Sequence, residues 1–261
     1  MGKIGLIAGG GVLPLEFVRS AAKKGEKVVV FAIEGAASTE LEDAADKVYW
    51  VKIDQYAKFL LLLVKERIRE LAFLGKVEKN NIYRDIYKKE LVDVYDKRDY
   101  SIFDEVAKRL KKLGVTMIEG TRYLSHLLAE KGILGEVQPD ERIGLDISLG
   151  FETAKKITDM DIGQTVIIKS GGVVAVEAME GTDETIERAG RIAGEGCVMV
   201  KVSRPGQDMR WDVPTVGPRT IEKLAENKFS ALAIESGRMY LLEKDRFIEM
   251  ADSSNIAVKA L

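Results

Sequence analysis

Through the first half of the chain, short unbroken apolar runs alternate with apolar residues at helical spacing. Lys3 to Ala8 is such a run and ends in Gly9-Gly10-Gly11; Leu13, Phe17, Val18 and Ala21 then share one helix face before Gly25. Lys27 to Ile33, with Val28, Val29, Val30 and Phe31, is continuous enough to predict a strand buried on both faces. Lys47 to Val51 predicts a third strand, Gln55 to Arg67 a helix, and Leu71 to Leu74 a fourth strand. Phe103 to Leu113 predicts a helix stopped by Gly114, and Val115 to Ile118 a fifth strand. Strands alternating with helices through short glycine-containing loops predict an α/β domain, a Rossmann-like parallel sheet with helices on both faces.

The pattern changes after a Gly-, Pro- and charge-rich stretch, Gly132 to Arg142, which reads as a linker. Leu145 to Ile157 predicts a helix. Two apolar runs around Ser170-Gly171-Gly172 predict a β-hairpin, Gln164 to Lys169 and Val173 to Glu177. Helices over Thr185 to Ile192 and Pro218 to Glu226 alternate with strands over Cys197 to Val202 and Ser230 to Ile234. Met239 to Leu242, a helix from Asp245 and Ile256 to Lys259 close the chain. The expected division is residues 1–135, Rossmann-like, and 136–261, a mixed α/β (α+β) domain. Residues 79–100 stand apart: Tyr83, Tyr87, Tyr95 and Tyr100 among many charges predict a solvated or partner-facing helical insertion.

Composition narrows the chemistry. The 261 residues carry 40 Lys and Arg against 42 Asp and Glu, a net charge of −2, which argues against a nucleic-acid binder. The longest apolar run, Phe59 to Val64, is flanked by Lys58 and Lys65 and is far short of the roughly 18 residues that suggest a membrane span. With no leader pattern at the N-terminus, the expectation is a cytoplasmic protein with at most peripheral membrane contact. One Cys and one His exclude an internal disulfide and the usual zinc shells. Hydrolytic chemistry then rests on carboxylates, and Mg²⁺ is the cofactor that accepts them. His126, in an apolar helical stretch, reads as a half-buried structural residue, and Cys197 as a packed small hydrophobe.

Three segments carry candidate chemistry. In the first, a strand enters Gly9-Gly10-Gly11 and a helix follows from Leu13-Pro14, where glycine N–H groups and a helix N-terminus suit a phosphate. Gly9 and Gly11 fit the dinucleotide fingerprint, but Pro14 stands at its third glycine, with Glu34 in the place of an acidic ribose partner. In the second, Glu177-Ala178-Met179-Glu180-Gly181-Thr182-Asp183, Thr182 or Asp183 would cap a helix, while Glu177 ends an apolar strand with an ionisable group. In the third, an extended Asp208 to Asp212 would put Asp208, Arg210 and Asp212 on one face, acids beside a phosphate-binding guanidinium. Ordinary structural roles, a strand-to-helix turn, a helix cap and a charged surface strand, compete with function at all three.

Taken together, Gly5-Leu6-Ile7-Ala8-Gly9-Gly10-Gly11 with Leu13-Pro14, Asp161-Ile162-Gly163-Gln164, Ala175-Val176-Glu177-Ala178 with Glu180-Gly181-Thr182-Asp183, and Gln207-Asp208 with Arg210, Asp212, Pro214-Thr215 and Gly217 resemble one family. It is the two-domain, Mg²⁺-dependent UDP-2,3-diacylglucosamine diphosphatase (pyrophosphatase) family, long catalogued as a domain of unknown function. The resemblance implies an N-terminal UDP-binding domain, a C-terminal catalytic domain and a UDP-linked acylated sugar held between them. It implies hydrolysis to UMP and 2,3-diacylglucosamine 1-phosphate in lipid A biosynthesis, with water attacking the sugar-bound phosphorus and Asp212 needed for catalysis. The expected roles are these: Asp212 and Asp208 bind Mg²⁺ or orient water, and Arg210 neutralises the phosphate. Gly9, Gly10, Gly11, Leu13, Lys76, Gln164, Glu177, Glu180, Thr182 and Asp183 bind substrate. A homodimer is the base-rate expectation. An NAD-dependent oxidoreductase and a non-catalytic UDP-sugar-binding module stay open as alternatives.

Overall fold

The computed structural model describes residues 3–77, 99–211 and 213–261, and of 99–104 the backbone alone. Asp212 and nearly all of the Tyr-rich stretch therefore lie outside the described residues.

β1 (Lys3–Ala8), β2 (Lys27–Ile33), β3 (Lys47–Val51), β4 (Glu70–Leu74) and β5 (Thr116–Met117) form an all-parallel sheet in the order β3-β2-β1-β4-β5. Among the described residues its helices are α1 (Leu13–Lys23), α2 (Leu41–Ala44), α3 (Tyr56–Lys65), α4 (Asp99–Lys112) and α5 (Thr121–Leu124). The two-residue period of β2 sends Val29 and Phe31 to the face where Leu63 of α3 and Leu110 of α4 pack. α1 covers the opposite face, with the Phe17 ring edge-on to Tyr123 at 5.0 Å. Pro14 sits in the first turn of α1, where a missing N–H is harmless. Strand order reverses between β1 and β4, the point beyond which open α/β sheets bind ligands.

The second sheet is mixed. Its strands are β6 (Gly132–Leu134), β7 (Thr165–Lys169), β8 (Gly172–Val176), β9 (Val198–Lys201) and, after a short β10 (Thr215–Val216), β11 (Ala231–Ile234). A two-residue β12 (Tyr240–Leu241) pairs with β10, and β13 (Ala257–Ala260) completes the order β6-β13-β11-β9-β7-β8. β9, β11 and β13 are parallel; β6 and the β7–β8 hairpin run antiparallel to their neighbours. α6 (Glu141–Asp159) covers one face, through Ile147 and Ala154 against Val166, Val198, Val200 and Ala231. α7 (Thr182–Ala193), α8 (Pro218–Glu226) and α9 (Lys244–Ser253) cover the other, against Ile167, Met199, Leu232 and Val258. Successive strand residues divide cleanly between the two cores. The hairpin turn is tied down by Asp146 of α6, whose carboxylate accepts the Ser170 and Gly171 N–H groups at 2.8 and 2.7 Å.

The chain divides into two compact units at His126, a few residues before the expected boundary at residue 135. The first unit runs to His126 and takes back the short segment that starts at Asp208; the second comprises Leu127 to Gln207 and Val213 to Leu261. Gly132–Leu134 is not linker: it is an edge strand on β13, held by ladder hydrogen bonds that local composition does not reveal. His126 lies in a short 3₁₀ turn and is exposed, not half-buried. Cys197 is fully buried, as expected, and burial pushes its thiol up. Among the described residues no helix is long and apolar enough to cross a membrane.

Candidate functional site

In the first unit, the glycine loop leaves the carboxyl end of β1 and meets Gly75-Lys76 leaving β4. Gly9 donates its N–H to Leu74 and Gly10 donates to Lys76, both at 2.8 Å, and Lys76 donates back to Gly10 at 2.9 Å. These two glycine N–H groups are therefore already used. The glycines serve close packing instead: a Cβ on Gly9 would come within 2.6 Å of the Lys76 carbonyl. Gly11, at φ +93°, turns the chain into α1 and is exposed. The end of the loop, from Gly11 to Leu13 at the start of α1, is the part left to approach an anion. The Lys76 side chain is exposed beside it in sequence-distant contact through the Gly10 bridge. Glu34 is exposed and lies 3.9 Å from Lys52.

Asp208 to Trp211 forms a turn, not the extended segment expected from two-residue spacing. The reason is local: Asp208 accepts the backbone N–H of Arg210 at 3.0 Å, which bends the chain back as Asp side chains commonly do. Its carboxylate also takes Nε and Nη2 of the same guanidinium, at 2.8 and 2.5 Å. Arg210 beside it holds the Asp208 carboxyl below its ordinary range. The turn is seated in the first unit by Trp211, which packs on that unit's core with its ring 6.1 Å from Phe73 of β4. Trp211 thus places the segment near the carboxyl end of β4, the strand that runs into the Gly75-Lys76 turn.

In the second unit, polar side chains gather where β8, β9 and β11 end. Glu177 follows β8 and accepts the Thr182 hydroxyl at 2.7 Å; Lys201, the last residue of β9, donates to the same hydroxyl oxygen at 2.9 Å. Gly181, not Thr182 or Asp183, holds the cap position of α7, with no side-chain cap, so the expected capping role fails. Thr182 instead turns inward to Glu177, and Asp183 reaches out to Arg219 at 2.7 Å. Glu180 clamps its own loop, accepting Ala178 N–H at 3.0 Å and Arg188 at 2.6 Å, while Arg188 also donates to the Val176 carbonyl. Its own and Ala178's backbone N–H groups and the Arg188 guanidinium hold the Glu180 carboxyl below its ordinary value. Gln164 donates to Gln207 at 3.1 Å, and Gln207 accepts the Arg204 N–H. Beyond β11, Glu235 pairs with Lys155 at 2.7 Å and accepts the Ser203 N–H and hydroxyl. Burial pushes the Glu235 carboxyl up, but these donors outweigh it and the net shift is down.

Lys201, Arg188, Lys155 and Glu235 were not among the expected site residues. A signal existed for Lys201: it ends an apolar run just as Glu177 does, and alternation puts it on the Met199 side, facing α7.

Among the described residues no three acidic, His or Cys side chains converge as a metal-ligand set. Asp208, one of the two expected Mg²⁺ ligands, spends both oxygens on Arg210. As they stand, the described residues do not fit a protein-built Mg²⁺ cage.

Fold and site define a two-unit α/β protein whose polar groups collect at the carboxyl ends of parallel strands, the ligand-binding edge of such sheets. The chain belongs to the LpxI family: the LpxI N-terminal domain model matches residues 3–127 and the LpxI C-terminal domain model residues 130–259. The UDP-2,3-diacylglucosamine pyrophosphatase LpxI of Caulobacter vibrioides is 28% identical over 99% of this chain and 97% of its own length. Among solved structures, the ADP-bound biotin carboxylase domain of a thermophilic 2-oxoglutarate carboxylase aligns with TM-score 0.30 and 12% identity, over 65% of this chain and 35% of that one. The biotin carboxylase subunit of pyruvate carboxylase aligns with TM-score 0.31 and 14% identity, over 74% and 42%. Scores this low carry no argument about this chain.

Proposed function

We propose that this chain is a hydrolase that cleaves the diphosphate of UDP-2,3-diacylglucosamine to UMP and 2,3-diacylglucosamine 1-phosphate, a step of lipid A biosynthesis. The observation that carries this reading is the match of both halves to one family, with a pyrophosphatase relative aligned over 99% of the chain.

In this reading water bonds to the sugar-side phosphorus and the P–O bond to the bridging oxygen breaks. That oxygen leaves with UMP. Asp212 orients the water and takes its proton. Arg210 offsets charge on the phosphate oxygens, and Asp208 acts by fixing the plane of that guanidinium, which its contacts with Nε and Nη2 support. The Gly11 to Leu13 end of the glycine loop and Lys76 serve the uridine nucleotide, with Gly9 and Gly10 shaping the loop. Gln164, Glu177, Glu180, Thr182 and Asp183 serve substrate binding in the second unit, directly or by holding its loop. A Mg²⁺ requirement stays in the proposal; that ion binds diphosphates chiefly through phosphate oxygens and water, and no step above runs through it. Cytoplasmic residence and a homodimer belong to the same proposal.

The test is UMP release from UDP-2,3-diacylglucosamine with Mg²⁺ and then with EDTA. Release that survives EDTA removes the metal. No release under any divalent ion, with stabilisation by UDP-sugar, favours a binding module; stabilisation by NAD alone favours an oxidoreductase.

A further inference from the structure

The second carboxylate oxygen of Glu177, Oε2, is buried and has no hydrogen-bond partner among the described residues. A buried carboxylate oxygen without a donor is costly, so its position asks for a partner from outside the protein. Everything around it is fixed. Oε1 is held by Thr182, and Thr182 is held by Lys201. The Glu177 N–H donates to the Thr165 carbonyl at 2.9 Å, and the Glu177 carbonyl lies hard against Gly163. The loop beyond is clamped by Glu180 and Arg188. The positive charge nearest in the chain of hydrogen bonds stops one group short: Lys201 touches the hydroxyl, leaving Oε2 an acceptor with negative character. Such an atom repels phosphate and attracts a neutral O–H or N–H.

We propose that Lys201, Thr182 and Glu177 form a relay that presents Glu177 Oε2 to a hydroxyl or amide donor on the glycosyl half of the substrate. Glu177 is the contacting residue; Thr182 and Lys201 are positioning residues that act through it. The relay rests on the diphosphatase reading for the identity of the glycosyl group, but its geometry does not depend on the phosphate chemistry.

Thr182→Val and Lys201→Met are compared with Thr182→Ser, which keeps the hydroxyl. The relay requires KM for UDP-2,3-diacylglucosamine to rise about tenfold in the first two, the scale of one hydrogen bond. It requires kcat to stay within about twofold, the pattern of lost uniform binding, and Thr182→Ser to restore KM. Thermal stabilisation by 2,3-diacylglucosamine 1-phosphate must fall in the two variants, while stabilisation by UMP is kept. Unchanged KM and unchanged stabilisation by the sugar phosphate in active variants overturn the relay and leave the diphosphatase reading standing. A wild-type protein that releases no UMP but is stabilised by the sugar phosphate in a Thr182-dependent way overturns that reading and keeps the relay. Absence of both overturns both.

Discussion

Gly163 lies so close to the carbonyl of Glu177 that a methyl group in place of its hydrogen would overlap that oxygen. Gly163→Ala must push the two loops apart. The expected cost is about 1–3 kcal/mol, as for other overpacked sites, together with a loss of UMP release because Glu177 moves with its carbonyl. Thermal unfolding and the activity assay check this; a variant with wild-type melting temperature and rate would contradict it.

Asp146→Ala strips the Ser170 and Gly171 N–H groups of their acceptor in the hairpin turn. The expected loss is about 1–3 kcal/mol, read from urea unfolding. Asp146→Asn keeps one acceptor oxygen and should lose less. Equal losses in both would mean that the charge, not the acceptor pair, secures the hairpin.

Glu66 is buried in the first unit and accepts from Lys3, Lys47 and Tyr49 at 2.8, 2.7 and 2.5 Å. These donors, Lys3 first, lower its carboxyl from 4.5 to about 2, so its contribution to stability is present above pH 4.5 and lost as pH falls toward 2. Glu66 and Tyr49 raise Lys47 from 10.5 to about 12, so that contribution is present below pH 10.5 and lost as pH rises through 12. Urea midpoints measured across pH should therefore fall at both limits. Glu66→Gln should flatten the acid limb; an acid limb identical to wild type would remove Glu66 as its cause.

Trp211→Ala should unseat the turn that carries Asp208 and Arg210. Because Trp211 is only partly buried, about 2 kcal/mol is expected, below the range for fully buried aromatic residues. UMP release should drop at least as far as in Arg210→Ala, and Trp211→Phe should recover most of it. Wild-type turnover in Trp211→Ala would separate the anchor from catalysis.

Asp212→Ala should remain folded, keep substrate and lose turnover. Equilibrium binding of UDP-2,3-diacylglucosamine measured beside UMP release distinguishes lost chemistry from lost affinity. A near-wild-type rate would take Asp212 out of the catalytic role.

Most of this architecture is written in periodicity. Continuous runs such as Lys27 to Ile33 became central parallel strands, and Pro218 to Glu226 is the helix its spacing predicts. Two-residue pieces such as β10 are too short to show a period, and Gly132–Leu134 is a strand only because β13 offers an open edge. The candidate site was legible as a set of residues but not as a set of contacts. Glycines at 9 and 10 read as N–H donors for phosphate, yet close approach of β4's continuation is what requires them. Asp208 and Arg210 read as neighbours on a strand, yet the short Asp side chain caps its own turn. That Trp211 belongs with Phe73 is a contact across more than half the chain, and no local window contains it.

The same contact sets an order of events during synthesis. The apolar seat beside Phe73 is completed by Trp211, which emerges from the ribosome after β6, β7, β8 and β9 of the second unit. The packing of the first unit is therefore completed only once part of the second unit has been synthesised. A nascent or truncated chain ending near residue 127 carries an unfinished apolar seat beside β4, and genetic dissection at that natural-looking seam should yield a sticky fragment, one that the missing segment, supplied as a peptide, would have to complete.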